Sequence, residues 1–203
     1  RNLVAAATAR AEAEGVGNIR FQQGDATNLA GIADGSFDLA VSIFGAMFAP
    51  RPFDVARELV RVTRPGGRIV MGNWIPGDPT LVAQILRIVA AYTPAPPEGF
   101  VSPMLWGVEE HVIERFGAAG IAASQVSFHR DTYTFRAPFP ASEFLERFRY
   151  FYGPTMNAFE AAAKEGREAA LHAELSTLFA DQNQGGEYST VIPATFLRVT
   201  VRR

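Results

Sequence analysis

The run Phe37-Asp38-Leu39-Ala40-Val41-Ser42-Ile43-Phe44 constrains this chain more than any other segment. It follows a Gly35-Ser36 turn and is nearly continuously apolar instead of alternating, the pattern of a strand buried on both faces of a parallel sheet. Parallel strands need a crossover, and the next segment offers one. Over residues 51–63, Val55, Leu59 and Val62 form one apolar row, with Ala56 and Val60 beside it. Pro65-Gly66-Gly67 stops that helix and turns the chain into a further strand over 68–74. A strand–helix–strand rhythm predicts an α/β sheet with crossover helices.

The flanking segments extend the pattern. Leu3, Ala6, Ala7 and Ala11 recur at helical spacing in an alanine-rich stretch, and Gly15 supplies a stop, so the chain opens inside a helix. Residues 18–23 read as a short strand ending in the Gly24-Asp25 turn. After Trp74, Asp78 and Pro79 suit an N-cap and a first helical position. The helix they start carries Leu81, Ile85 and Ile88 on one row and Val82, Leu86 and Val89 on the next, a broad apolar face that must cover something. Pro94, Pro96, Pro97 and Pro103 make 92–104 a loop. A helix over 108–119 ends at Gly120, and alternation over 124–136 predicts a long strand. The stretch 138–186 holds two predicted helices, and 187–202 returns as a final strand.

Composition narrows the chemistry. With 203 residues, 48% of them hydrophobic, the chain suffices for one domain with a sizeable core. A net charge of −2 and the lack of any Lys/Arg cluster favour a small-molecule substrate over nucleic acid. Having no cysteine, the chain cannot use disulfides, thiolate metal sites or a cysteine nucleophile. His111, His129 and His172 are scattered without metal-ligand spacing, so no metal is expected. No apolar run approaches the roughly 20 residues that span a bilayer, and a cytoplasmic enzyme is the expectation.

Taken in order, Ile19-Arg20-Phe21-Gln22-Gln23-Gly24-Asp25-Ala26, the 37–44 run and Arg64-Pro65-Gly66-Gly67-Arg68-Ile69-Val70 resemble the second half of a class I S-adenosylmethionine-dependent methyltransferase. The resemblance implies a Rossmann-like, mostly parallel sheet with an antiparallel edge pair. The strands over 18–23, 37–44, 68–74, 124–136 and 187–202 correspond to the third to seventh of that family. Residues 1–203 then form a single incomplete methyltransferase domain, with cap insertions at 77–106 and 138–186. The family's glycine-rich loop and the acid ending its second strand would fall before Arg1, so the N-terminal strands are expected to be absent from this chain.

The same resemblance assigns the cofactor, S-adenosylmethionine, to two stretches. Gly24, Asp25 and Ala26 would face its adenine, the carboxylate accepting from the amino group and the Ala26 N–H donating to the ring. Ile43, Phe44 and Gly45, after Ser42, would border its amino-acid and methyl end, at the carboxyl ends of the strands where open α/β sheets bind ligands. Met47, Phe48 and Trp74 could wall the transfer site. Phe144, Phe148, Tyr150, Phe151 and Tyr152 place five aromatics in nine residues, of which Phe148 and Tyr152 are the substrate-pocket candidates. Helical spacing of Phe144, Phe148 and Phe151 equally suits a packed helix. No acid or base stands out, His129 and Tyr133 being the weak candidates, and methyl transfer to a nucleophilic atom needs mainly in-line positioning. Two other functions share the α/β rhythm: a nicotinamide-dependent dehydrogenase, and a non-catalytic methyltransferase-like binding module.

Overall fold

A computed structural model describes residues 2–203. Four strands, β1 (Phe37–Ile43), β2 (Thr63–Trp74), β3 (Val126–Ala137) and β4 (Thr190–Arg202), form one sheet in the order β1-β2-β4-β3. β1 and β2 run parallel, while β2–β4 and β4–β3 are antiparallel. The crossover helix and the antiparallel edge pair are as predicted, but the described sheet is mixed instead of mostly parallel. The reason lies in residues 18–23, which form no strand; only an isolated bridge between Asp25 and Asn28 follows them. A strand persists through its neighbour's hydrogen bonds, and among the described residues β1 pairs only with β2.

β1 also departs from the expected burial on both faces. Phe37, Leu39, Val41 and Ile43 are 44%, 45%, 56% and 50% exposed, because β1 is an edge strand among the described residues. Its other side is covered by helix α2 (Pro52–Val62), whose Val55 and Ala56 are fully buried. The Pro65-Gly66-Gly67 segment is a bulge within β2 and not a turn before it. The register jumps from Phe37 opposite Thr63 to Leu39 opposite Arg68. Gly66 takes φ +77°, and a Cβ on Gly67 would lie 2.8 Å from the Arg64 carbonyl oxygen and 2.9 Å from that of Asp38. Glycine is therefore required at both positions, for conformation at one and for space at the other.

Helix α1 (Asn2–Ala13) ends as expected, with Gly15 at φ +68° and the Val16 N–H donating to the Ala11 carbonyl at 2.8 Å. α3 (Leu81–Ala90) starts two residues later than predicted, with Thr80 as its N-cap. Asp78 is spent on a local turn, its Oδ1 accepting from the Thr80 N–H at 2.9 Å. α4 (Glu109–Ala118) packs on α2. The 138–186 stretch holds three helices where two were expected: α5 (Ala141–Phe151), α6 (Gly153–Lys164) and α7 (Glu168–Gln182). Gly153-Pro154 divides the first two, with Pro154 in the first turn of α6 where its missing N–H costs nothing. With α3 they enclose a second core of Leu81, Ile85, Leu145, Ala158, Leu171, Leu175 and Phe179. The sheet's own core, centred on Val55, Ile69, Met71, Trp74, Val199 and Val201, lies beside it.

Candidate functional site

The turn after residue 23 is built around Thr27. Asp25 Oδ1 accepts from both the N–H and the hydroxyl of Thr27 at 2.8 Å, and Arg51 Nη2 donates to that hydroxyl oxygen at 2.6 Å. The backbone and side-chain hydrogen bonds from Thr27 hold the Asp25 carboxyl below its ordinary range, with Arg51 adding to the effect. Asp25 is exposed, and its second oxygen takes no part in these bonds. Farther along, Glu58 Oε2 accepts from the Leu29 N–H at 2.6 Å, and Arg61 Nη1 donates to the Ile32 carbonyl at 2.7 Å, stapling the following loop to α2. A groove of about 390 Å³ runs between this loop and β1, bringing Ala26 together with Ser42 and Ala46.

At the carboxyl end of β1 the backbone turns sharply. Ser42 Oγ accepts from the Ala46 N–H at 2.9 Å, and the Phe44 N–H donates to the Gly72 carbonyl at 2.9 Å. Phe44 has φ +55°, the only non-glycine with positive φ among the described residues. Its ring stacks on Trp74 with centroids 3.7 Å apart and planes 5° from parallel, and meets Phe196 edge-on at 5.3 Å. A left-handed conformation costs a bulky residue about 1–2 kcal/mol, and a well-formed aromatic pair returns about 0.5–1.5 kcal/mol. The two are of similar size, so the stack is what holds the strained backbone. Gly45 follows on the surface; a Cβ there would meet nothing closer than 3.9 Å.

The 3₁₀ turn Ala46–Phe48 leads from this strand end to a concavity of about 890 Å³. Met47, Phe48, Leu86 and Val89 line one side, the 93–104 segment forms the roof, and Pro154 and Asn157 close it from α6. Of the five substrate-pocket candidates, Met47 and Phe48 line this cavity, while Trp74, Phe148 and Tyr152 do not. Trp74 is 4% exposed beneath Phe44, and Phe148 packs in the second core against Phe135, Phe144 and Phe179. Tyr152 packs against both cores; its hydroxyl is buried with no hydrogen-bond partner, and burial pushes that phenol well above its ordinary pKa.

His129 and Tyr133 lie on β3, the far edge of the sheet. His129 faces Asp131 at 3.2 Å, and Asp131 also holds Arg198 at 2.6 Å. Neither candidate lines the cavity or the groove. Sequence reasoning missed the Asp25–Thr27–Arg51 chain and the role of 93–104 as a cavity wall. The density of prolines between 94 and 103 was the available signal, since such a segment keeps its shape without secondary structure.

Residues 1–71 match the family model described as a methyltransferase domain. An uncharacterized protein of Mycobacterium tuberculosis (strain H37Rv) is 33% identical over 177 residues, 87% of this chain and 62% of that protein. The chain thus spans about 62% of the length of the curated relatives it matches first. The demethylmenaquinone methyltransferase of Paenarthrobacter aurescens is 30% identical over 115 residues, covering 51% of this chain and 45% of that protein. Among solved structures, the YcgJ protein of Bacillus subtilis superposes with a TM-score of 0.52 at 20% identity, over 100% of this chain and 80% of that one. This last likeness concerns the fold alone. By its first 71 residues the chain matches a methyltransferase domain, and over its whole length it shares the fold of the YcgJ protein.

Proposed function

We propose that this protein is a cytoplasmic enzyme that transfers a methyl group from S-adenosylmethionine to a small molecule of largely apolar character. The observation that carries the reading is the placement of a cavity of about 890 Å³, walled by Met47 and Phe48, directly beyond the carboxyl end of β1. Residues 77–106 and 138–186 would cap the acceptor, since both insertions contribute to its walls.

The residues fit the cofactor. An exposed carboxylate with one oxygen fixed by Thr27 and the other open suits an amino-group donor such as that of adenine. The open space above Gly45 lets a ligand approach the backbone at the strand end. When bound, S-adenosylmethionine supplies an electrophilic methyl group on a sulfonium. The chain's own contribution is position and dryness: Asp25 orients, the Phe44–Trp74 stack fixes the backbone at the strand end, and the apolar walls exclude water. Tyr152, its phenol pushed up by burial, is no base at neutral pH. No lysine, histidine or tyrosine lines the cavity, so the reading calls for an acceptor atom that is nucleophilic without help from a strong protein base.

Isothermal titration of the full-length protein with S-adenosylhomocysteine and, separately, with NADH tests the reading. Binding of the first and not the second is expected. Binding of NADH alone would favour the dehydrogenase. Cofactor binding without methyl transfer to any acceptor would favour a non-catalytic binding module.

A further inference from the structure

The cavity beside Met47 has one ionisable side chain on its entire wall, and it is an acid. Glu98 stands among prolines, aliphatic groups and the neutral polar residues Thr93, Ser102 and Asn157; no lysine, arginine or histidine lines the space. None of the side-chain hydrogen bonds or ion pairs among the described residues engages its carboxylate.

Two aromatic rings share the wall with that carboxylate. Phe48 and Phe100 are 42% and 55% exposed, unusual for phenylalanine, and both line the cavity. Glu98 and Phe100 are held on one tight turn: the Phe100 N–H donates to the Pro97 carbonyl at 3.1 Å, and Gly99 takes φ +78° at the position where such a turn demands it. The sequence Pro97-Glu98-Gly99-Phe100 therefore places a carboxylate and a phenyl ring two residues apart on the cavity roof.

A carboxylate and aromatic rings on the wall of one apolar cavity are together complementary to one ligand chemistry. An ammonium is drawn both to the carboxylate and to the negative face of a ring, while an anionic ligand would be repelled and would find no cation in exchange for its water. We infer that the acceptor is a molecule with an apolar body and a protonated amine, the amine held by Glu98 and Phe100 and the body by Met47 and Leu86. This rests on the reading of the cavity as the acceptor site. Glu98 then determines specificity and takes no part in bond making.

Three probes of one body and three charges test it: 4-phenylbutylamine, 4-phenylbutan-1-ol and 4-phenylbutyrate, titrated by calorimetry into the full-length protein and into Glu98→Gln. The amine is expected to bind about five- to tenfold more tightly than the alcohol, the scale of one exposed ion pair with a cation–π contact, and the carboxylate most weakly. Glu98→Gln should bring the amine down to the alcohol and leave the alcohol unchanged. Equal binding of amine and carboxylate, an amine preference that survives Glu98→Gln, or no binding by any probe would each overturn the inference. S-adenosylhomocysteine titrated into the same samples separates the two claims. Cofactor binding without amine preference sinks only the specificity, whereas amine preference without cofactor binding upholds the cavity's chemistry and sinks the methyltransferase reading.

Discussion

Two glycines ten residues apart should respond to alanine with opposite signs. Gly107 ends the 3₁₀ turn Pro103–Gly107 where the chain returns to the sheet, and a Cβ there would sit 2.1 Å from the Trp74 carbonyl oxygen and 2.8 Å from Ile75 Cα. Both obstacles are backbone at the end of a buried strand and cannot swing aside, so the turn must retreat by about 1 Å before contacts become ordinary. Overpacking of this kind costs about 1–3 kcal/mol. In a domain of this size each kcal/mol is worth about 2–4 °C, so Gly107→Ala should lower the melting temperature by about 2–12 °C. Gly117 lies exposed in α4, with nothing within 4 Å of its would-be Cβ. Gly117→Ala should therefore gain about 0.5–1 kcal/mol from helix propensity and melt about 1–4 °C higher. Circular dichroism melts of the three proteins decide the matter. A Gly107→Ala protein melting at or above its parent would refute the packing argument. Met104, in the same 3₁₀ turn, lines the cavity, so Gly107→Ala should also weaken the amine probe while Gly117→Ala leaves it alone.

Tyr152→Phe removes a buried hydroxyl without a partner, and should stabilise the protein by about 1 kcal/mol in a denaturant titration; a loss of stability would show that the hydroxyl is satisfied after all. Glu58 is held below its ordinary carboxyl range chiefly by hydrogen bonds from Arg61, then by the Leu29 N–H. A depressed folded-state pKa means that its contribution is complete at neutral pH and is lost as acid protonates the folded form. The stability gap between parent and Glu58→Gln should accordingly be widest near pH 7 and close below about pH 4; a gap constant with pH would contradict this. Asp25→Asn keeps an acceptor oxygen for Thr27 but puts a donor where a ligand's amino group needs an acceptor. Calorimetry should find S-adenosylhomocysteine about tenfold weaker with the melting temperature little changed, and unaltered affinity would remove Asp25 from the cofactor site.

What could be read from the sequence was whatever local chemistry enforces. Val55, Leu59 and Val62 predicted α2 because a 3.6-residue repeat has one meaning, and the Gly66-Gly67 pair marked the path into β2 because no other residue fits there. Residues 18–23 misled because a short run with strand-forming residues becomes a strand only when another strand accepts its hydrogen bonds, a fact about neighbours and not about the run itself. The apolar 37–44 run predicted a strand correctly and its burial incorrectly for the same reason. The aromatic cluster at 144–152 illustrates the limit for sites. Helical spacing of Phe144, Phe148 and Phe151 fits a cavity wall and a packed core equally; Phe148 packs in the core with Leu145 and Phe179 and Phe144 lies against it, while Phe151 is exposed. Glu98 was passed over because a single acid in a proline-rich loop acquires meaning only from the rings and the concavity around it.

The position of that cavity says which part of the chain sets the choice of acceptor. The helical layer is tied firmly to the sheet: Tyr152 and Phe135 pack against both cores, the Thr195 N–H donates to Thr80 Oγ1 at 2.8 Å, and Thr190 Oγ1 donates to the Phe139 carbonyl at 2.8 Å. A layer held in this way makes a fixed floor and a fixed wall. The roof, residues 93–104, is different in kind. It has no sheet or α-helix to hold it and depends on its prolines and the 97–100 turn for shape. Substitutions over 93–103 alter the cavity without touching either core, whereas Met104 packs on the sheet's core and changes in α6 near Pro154 must also satisfy the second core through Ala158 and Phe159. Acceptor preference should therefore move with the roof and stability with the helices. Exchanging 93–103 for the corresponding segment of a relative with another substrate is expected to shift the ranking of amine, alcohol and carboxylate probes with little change in melting temperature. A swap that unfolds the protein or leaves the ranking intact would place specificity in the helical layer instead.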